Sequence, residues 1–252
     1  MTLQSPTAAE RASIRVQMAV SWAAGVLLVW PATIAWMRIA RRWRIRDLRA
    51  LRRRARDLAG SDDGPLVVCP NHLTWVDSML VQYALASPWE LATQPRSYVW
   101  NLAEQSNFFV SPPLRWFSWL SRCIPIARCG DRSQQKRVLA KAAWLLRRGD
   151  RMLVFPEGGR SPDGRICRER IADGVGRLVR DVGGARVLCV YLRGERQSEP
   201  SVLPAPHQTF AMDVELLRPS SGASGVRASR EIAMQILDCL ERMEAGYFAD
   251  RQ

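Results

Sequence analysis

The sequence predicts an α/β fold: a mixed, mainly parallel sheet flanked by helices, with an N-terminal membrane helix or re-entrant helical pair. Three observations carry this. Short apolar runs of strand length alternate with helical patterns from about residue 66 onward. The stretch from Met18 to Met37 has no charged side chain, and such a run can cross a hydrocarbon core about 30 Å thick as a helix. Ten arginines then crowd one short segment: Arg38, Arg41, Arg42, Arg44, Arg46, Arg49, Arg52, Arg53, Arg54 and Arg56.

Taken in order, Met1 to Ala12 is polar and reads as loose. The apolar run carries Trp22, Trp30 and Trp36, residues suited to the headgroup region, and Pro31 either kinks one helix or divides the run into two short ones. It is too long for a signal peptide and lacks a small-residue cleavage site before the arginines. Those arginines should stay cytoplasmic and lie against anionic headgroups, which places the chain on the inner membrane with its catalytic domain on the cytoplasmic side. Residues 1–59 are thus an anchor with an Arg-rich helical connector. The turn-forming Gly60, Ser61, Asp62, Asp63, Gly64 and Pro65 open the catalytic domain, 60–252.

In that domain Leu66–Cys69 reads as a buried strand, followed by a helix from about Asp77 to Ala86. Ser97–Trp100 and Ile124–Ile126 are further strand candidates. Ser133 is placed to cap a helix ending at Gly149, with Val138, Leu139, Ala142, Ala143 and Leu146 on its buried side. Met152–Phe155 and Arg186–Leu192 read as strands, and Glu231–Met243 as a closing amphipathic helix. Asn107 to Leu120, rich in Phe and Trp and broken by Pro112-Pro113, reads equally as a core helix or as a membrane-dipping segment or acyl-chain channel. The six cysteines are scattered without Cys-x-x-Cys spacing, which implies reduced packing residues and no metal site.

Two segments carry chemistry. Asn71-His72-Leu73-Thr74-Trp75-Val76-Asp77 leaves a buried strand, where a rigid scaffold fixes catalytic groups. If Asp77 opens the next helix, its carboxylate can reach one nitrogen of His72, leaving the other to take a proton. By spacing alone, Asp77 reads as a helix cap and His72 as a loop residue. The second segment, Phe155-Pro156-Glu157-Gly158-Gly159-Arg160-Ser161, also ends an apolar run. Its two glycines let the backbone approach a ligand, and Arg160 offers a planar fork suited to phosphate. Glu157 can orient that arginine or bind an acceptor hydroxyl.

Together these segments resemble the glycerolipid acyltransferase family that includes the lysophosphatidic acid acyltransferases. His72 and Asp77 match its His-x-x-x-x-Asp pattern, and Phe155 to Ser161 match its Phe-Pro-Glu-Gly-Thr-Arg-Ser block, with Gly159 in place of Thr. Ile124 to Arg128 is similar to an intervening block that ends in an arginine, although the usual Gly and Phe are absent. Val187 to Leu192 is similar to a later strand, with Cys189 in place of its Pro. The resemblance implies a catalytic pair, His72 and Asp77, and substrate-binding roles for Arg128, Glu157, Gly158, Gly159 and Arg160. It implies direct transfer from acyl-CoA or acyl carrier protein to a membrane lipid acceptor, most plausibly 1-acylglycerol 3-phosphate. No further cofactor is implied, and no Gly-x-Ser-x-Gly elbow is present. Two other readings are weighed against it: another lipid acceptor, and a nucleic-acid-binding module suggested by the net charge of +13. The second is disfavoured because the basic stretch follows an apolar span directly, so no nucleic-acid partner is expected.

Overall fold

The computed structural model of the chain describes residues 5–60, 64–127, 130–171, 173–197 and 201–251. Its strands are β1 (Arg44–Ile45), β2 (Leu66–Pro70), β3 (Trp100–Glu104), β4 (Cys123–Ile126), β5 (Met152–Leu153), β6 (Arg186–Gly194) and β7 (Thr209–Leu217). They form one sheet in the order β1-β7-β6-β2-β5-β3-β4. From β6 to β4 all neighbours are parallel, whereas β7 runs antiparallel to β6 and β1 parallel to β7. The mixed, mainly parallel sheet of the sequence reading is therefore present. Every residue of β6 is buried, which is why Val187 to Leu192 is a continuous apolar run that does not alternate.

Helices cover both faces. Val67 and Cys69 of β2 face a core built with α8 (Arg132–Arg147), α9 (Asp173–Val182) and α10 (Gly225–Ala249). Leu66 and Val68, one residue out of phase, face the opposite core against α3 (Leu48–Gly60) and α4 (Asp77–Leu85). Cys69 and Cys189 are register partners in adjacent strands, and both are buried free thiols.

The N-terminal segment is one continuous helix over Ala8–Ala40, long and apolar enough to cross a membrane. It comprises α1 (Ala8–Ala24) and α2 (Trp30–Ala35), each followed by a π-helical turn, Gly25–Val29 and Trp36–Ala40. At 1.5 Å per residue it extends roughly 50 Å. Pro31 sits in the first turn of α2, directly after a π turn, where the wider backbone accommodates its missing N–H. The choice between one helix and two thus resolves to one. Of the polar start, residues 1–4 lie outside the described residues, and from Thr7 on it is ordered, because Thr7 and Glu10 form a capping box that begins the helix.

The helix is fastened to the rest of the protein by specific bonds. Gln17 donates to the carbonyl of Trp119 at 3.0 Å, and the Trp22 indole to that of Leu91 at 2.9 Å. Gly25 lies against the Tyr98 ring, so closely that a Cβ there would sit 2.8 Å from a ring carbon. Arg122, fully buried, donates to Ser21 Oγ at 3.1 Å and to the Met18 carbonyl at 3.2 Å.

Several element boundaries differ from the sequence reading for identifiable reasons. The Arg-rich connector is interrupted by β1, with Arg42 and Asp47 in left-handed conformations on either side. The third strand starts at Trp100, because Pro95–Ser97 closes a 3₁₀ turn. Asp131, not Ser133, caps α8, its side chain accepting from the Ser133 amide. The helix α9, the strand β7, the short helix α5 (Pro88–Thr93) and the early start of α10 were not read from the sequence. Asn107 to Leu120 forms the end of α6 (Gln105–Phe108) and all of α7 (Pro112–Leu120), in which only Ser118 is buried, so it is not a core helix.

Candidate active site

The sheet brings the two motif segments to one edge. β2 ends at Pro70, and Asn71 continues its pairing with β6 through its amide, which donates to the Val190 carbonyl at 3.2 Å, and through its side chain. Its Oδ1 accepts from the Leu192 amide at 2.7 Å and its Nδ2 donates to the Leu192 carbonyl at 3.0 Å. This fixes where the chain leaves the sheet, and His72 follows immediately. Asp77 is the first residue of α4 and is 2% exposed. Its Oδ2 meets His72 Nδ1 at 3.0 Å and accepts the amides of Leu73 at 2.6 Å and Thr74 at 2.7 Å, while the Thr74 hydroxyl donates to Oδ1. Four contacts to one buried carboxylate fold the loop around it. They orient the imidazole with Nδ1 occupied and Nε2 as the remaining ring nitrogen. The ring is 14% exposed and stacks on Phe155, centroids 3.8 Å apart and 19° from parallel.

The second segment supports the first. Gly158 adopts a positive φ of 64°, a conformation that a side chain would strain, and its amide bonds to the Phe155 carbonyl in a tight turn. The turn delivers the Ser161 amide to the His72 carbonyl at 2.9 Å. Glu157 is 3% exposed, and its Oε1 accepts the His72 amide at 3.2 Å. Burial pushes this carboxyl up to about 7, against the two backbone amides of His72 and Cys167 that favour its charged form. Of the roles the sequence left open for Glu157, the structure shows a contact with the His72 loop and not with Arg160. Arg160 instead lies over the Trp75 ring, 5.6 Å from its centroid.

His72, Gly159 and Arg160 line one cavity of about 380 Å³, which the N-terminal helix closes with Val29, Trp30 and Thr33. Trp75, Phe108, Phe117 and Phe155 are among its aromatic lining, so part of the 107–120 segment faces this cavity. Asp77, Glu157 and Gly158 stand behind it. Arg128 lies outside the described residues. Asn71, Thr74 and Phe155 hold or face the histidine, although spacing alone gave them no role. Their signal was position: Asn71 directly follows β2, Thr74 lies between His72 and Asp77, and Phe155 opens the second segment.

Comparison with known proteins agrees with this geometry. The profile of the acyltransferase family matches residues 43–193, from just before β1 to the end of β6. A chloroplastic 1-acyl-sn-glycerol-3-phosphate acyltransferase of Brassica napus is 29% identical over 106 residues, 42% of this chain and 27% of that protein. A chloroplastic protein of the same description from Arabidopsis thaliana is 29% identical over 106 residues, with 26% of its length matched. The match therefore spans about a quarter of each relative. Both motif segments, most of the cavity lining and most of the sheet fall inside the profile: the chain belongs to the acyltransferase family.

Proposed function

We propose that the chain is a membrane-bound O-acyltransferase that moves a fatty acyl group from acyl-CoA or acyl carrier protein to a lysophospholipid hydroxyl. The preferred acceptor is 1-acylglycerol 3-phosphate, giving phosphatidic acid. The observation that carries the reading is the His72 Nδ1 to Asp77 Oδ2 contact of 3.0 Å on a cavity that also contains Arg160. Asp77 fixes the tautomer and stabilises the imidazolium. His72 Nε2 takes the proton of the acceptor hydroxyl as its oxygen attacks the thioester carbonyl. The carbon–sulfur bond then breaks, and the imidazolium returns the proton to the leaving thiolate. Arg160 supplies the charge for the acceptor phosphate, Arg128 shares that role by resemblance, and Gly159 leaves room for the substrate beside it.

The printed descriptions of both relatives support this acceptor, and the apolar helix with its following arginines supports membrane attachment with the catalytic domain on the cytoplasmic side. The test is an acceptor screen with both donor types and mass spectrometry of the products. Transfer to 1-acylglycerol 3-phosphate that collapses in His72→Ala is the expected result, with Arg160→Ala raising KM for this acceptor more than for an uncharged monoacylglycerol. Full activity of His72→Ala would overturn the mechanism. Indifference to the phosphate would favour another lipid acceptor.

A further inference from the structure

At the edge of the sheet opposite His72, a cleft of about 650 Å³ gathers four arginines. Arg15 comes from α1, Arg96 from the 3₁₀ turn Pro95–Ser97, Arg148 from the residue after α8, and Arg151 from the residue before β5. Strand register gives its distance from the chemistry. Val68 is level with Leu153. Arg151 stands two residues before that level and His72 four residues after it, which separates them by roughly 20 Å at 3.3 Å per residue. The cleft and the reaction cavity have no lining residue in common.

The charge in this cleft is unbalanced. Arg15, Arg96 and Arg148 are exposed and Arg151 is half-buried. Among the described residues, none of the four is in an ion pair, whereas Arg46, Arg54, Arg168, Arg227 and Arg242 each meet a carboxylate elsewhere on the surface. The Arg148 guanidinium lies over the Trp144 ring, 4.7 Å from its centroid. One carboxylate, the buried Asp150, shares the lining. Four cations set against one anion suit the oxygens of a phosphate, which the planar guanidinium forks match in geometry.

The apolar part of the lining indicates what carries that phosphate. Met18, Ala19 and Trp22 of the N-terminal helix line the cleft. Beside them on the same helix Val16 and Val20 are 59% and 44% exposed, and farther along Leu27 and Leu28 are 80% and 66% exposed. A free phosphate or a nucleotide would use the arginines and leave this surface in water. An anionic amphiphile covers both.

We propose that this cleft binds the headgroup phosphate of an anionic phospholipid, whose glycerol and upper chains lie on Met18, Ala19 and Trp22. The lipid is a docking lipid and not a substrate, because His72 is out of its reach. The proposal rests on the membrane attachment proposed above and is independent of acyl transfer. It adds a membrane contact near the start of the N-terminal helix, about 35 Å from Arg38 at 1.5 Å per residue, where the Arg-rich segment begins.

The test is sedimentation of the full chain with phosphatidylcholine vesicles prepared with and without phosphatidylglycerol. The native chain is expected to prefer vesicles containing phosphatidylglycerol. Arg96→Gln/Arg148→Gln should weaken binding to those vesicles roughly tenfold. Arg227→Gln/Arg230→Gln removes the same formal charge from α10 and should leave it unchanged. Inorganic phosphate at constant ionic strength should not displace the native chain. Equal losses in the two double variants, no loss in the cleft variant, or displacement by inorganic phosphate overturns the proposal and leaves membrane attachment standing. A native chain that binds neither kind of vesicle overturns membrane attachment, and this proposal with it.

Discussion

Glu157 holds the backbone of His72: its Oε1 accepts the histidine amide at 3.2 Å across a separation of 85 residues. The Ser161 amide returns a bond to the His72 carbonyl at 2.9 Å. Both polar groups of the His72 main chain are thus fixed by the Phe155–Ser161 segment. The glutamate is a positioning residue, and its substitution should act on turnover. Glu157→Gln keeps an acceptor oxygen at the same reach and should retain most activity. Glu157→Ala leaves the amide unmatched in a buried loop, and a displacement of about 1 Å costs on the order of a hundredfold in rate. The check is kcat for both variants beside circular dichroism. Equal kcat values for the two would remove Glu157 from this role.

The same carboxyl predicts a pH dependence of stability. Its value rises from an ordinary 4.5 to about 7 because burial disfavours the charged form. Between those pH values the unfolded chain has lost this proton and the folded chain still holds it. The folded state therefore binds more protons, and stability falls as pH rises through this window. The total is on the order of 3 kcal/mol at about 1.4 kcal/mol per unit. Glu157→Gln does not titrate and should flatten the slope. Urea unfolding at several pH values between 4.5 and 7 measures it, and parallel slopes for native and variant would exclude Glu157 as the source.

Asp77→Asn should be worse than its near-identical shape suggests. The native carboxylate faces donors from His72, Leu73 and Thr74. An amide must turn its own NH2 toward some of them or surrender a bond, which costs about 1–3 kcal/mol in a buried site. It also removes the charge that stabilises the imidazolium. A fall in kcat of roughly a hundred- to ten-thousandfold is expected, together with a lower unfolding midpoint. A variant that loses stability but keeps kcat would make Asp77 a cap alone.

That outcome bears on how legible the protein was in its sequence. The spacing of His72 and Asp77 suits a helix start as well as a catalytic pair, and in the fold it serves both: Asp77 is the first residue of α4 and the anchor of the loop. The buried strands β2 and β6 were readable because both faces are covered, which leaves unbroken apolar runs at Leu66–Cys69 and Val187–Leu192. The strand β7 was not, since its burial is mixed, and its interior carries Asp213 and Glu215. Two-residue strands such as β1 leave no period to detect. The cavity was invisible for a different reason. Its walls come from α2, α4, α7 and β3, and only tertiary packing gathers them.

Arg122 gives the strongest test of how the N-terminal helix is held. It is fully buried with φ 53°, and it donates to the carbonyls of Pro95 at 2.9 Å, Tyr98 at 2.7 Å and Met18 at 3.2 Å, and to Ser21 Oγ at 3.1 Å. Its guanidinium also lies over Tyr98, and burial lowers its pKa to about 10. Removing it strands several acceptors between α1 and the sheet, so Arg122→Ala should cost about 3–5 kcal/mol, as for breaking other buried charged contacts. Arg122→Gly loses the same bonds but relieves the left-handed backbone, worth about 1 kcal/mol. The glycine variant should therefore be the more stable of the two. In both, amide exchange should rise over Met18–Ser21 before it rises in β2 or β6, because the bonds lost are those joining the helix to the sheet. Exchange that rises uniformly would show that the helix is held without this arginine, and alanine matching glycine in stability would show that the φ of 53° carries no strain.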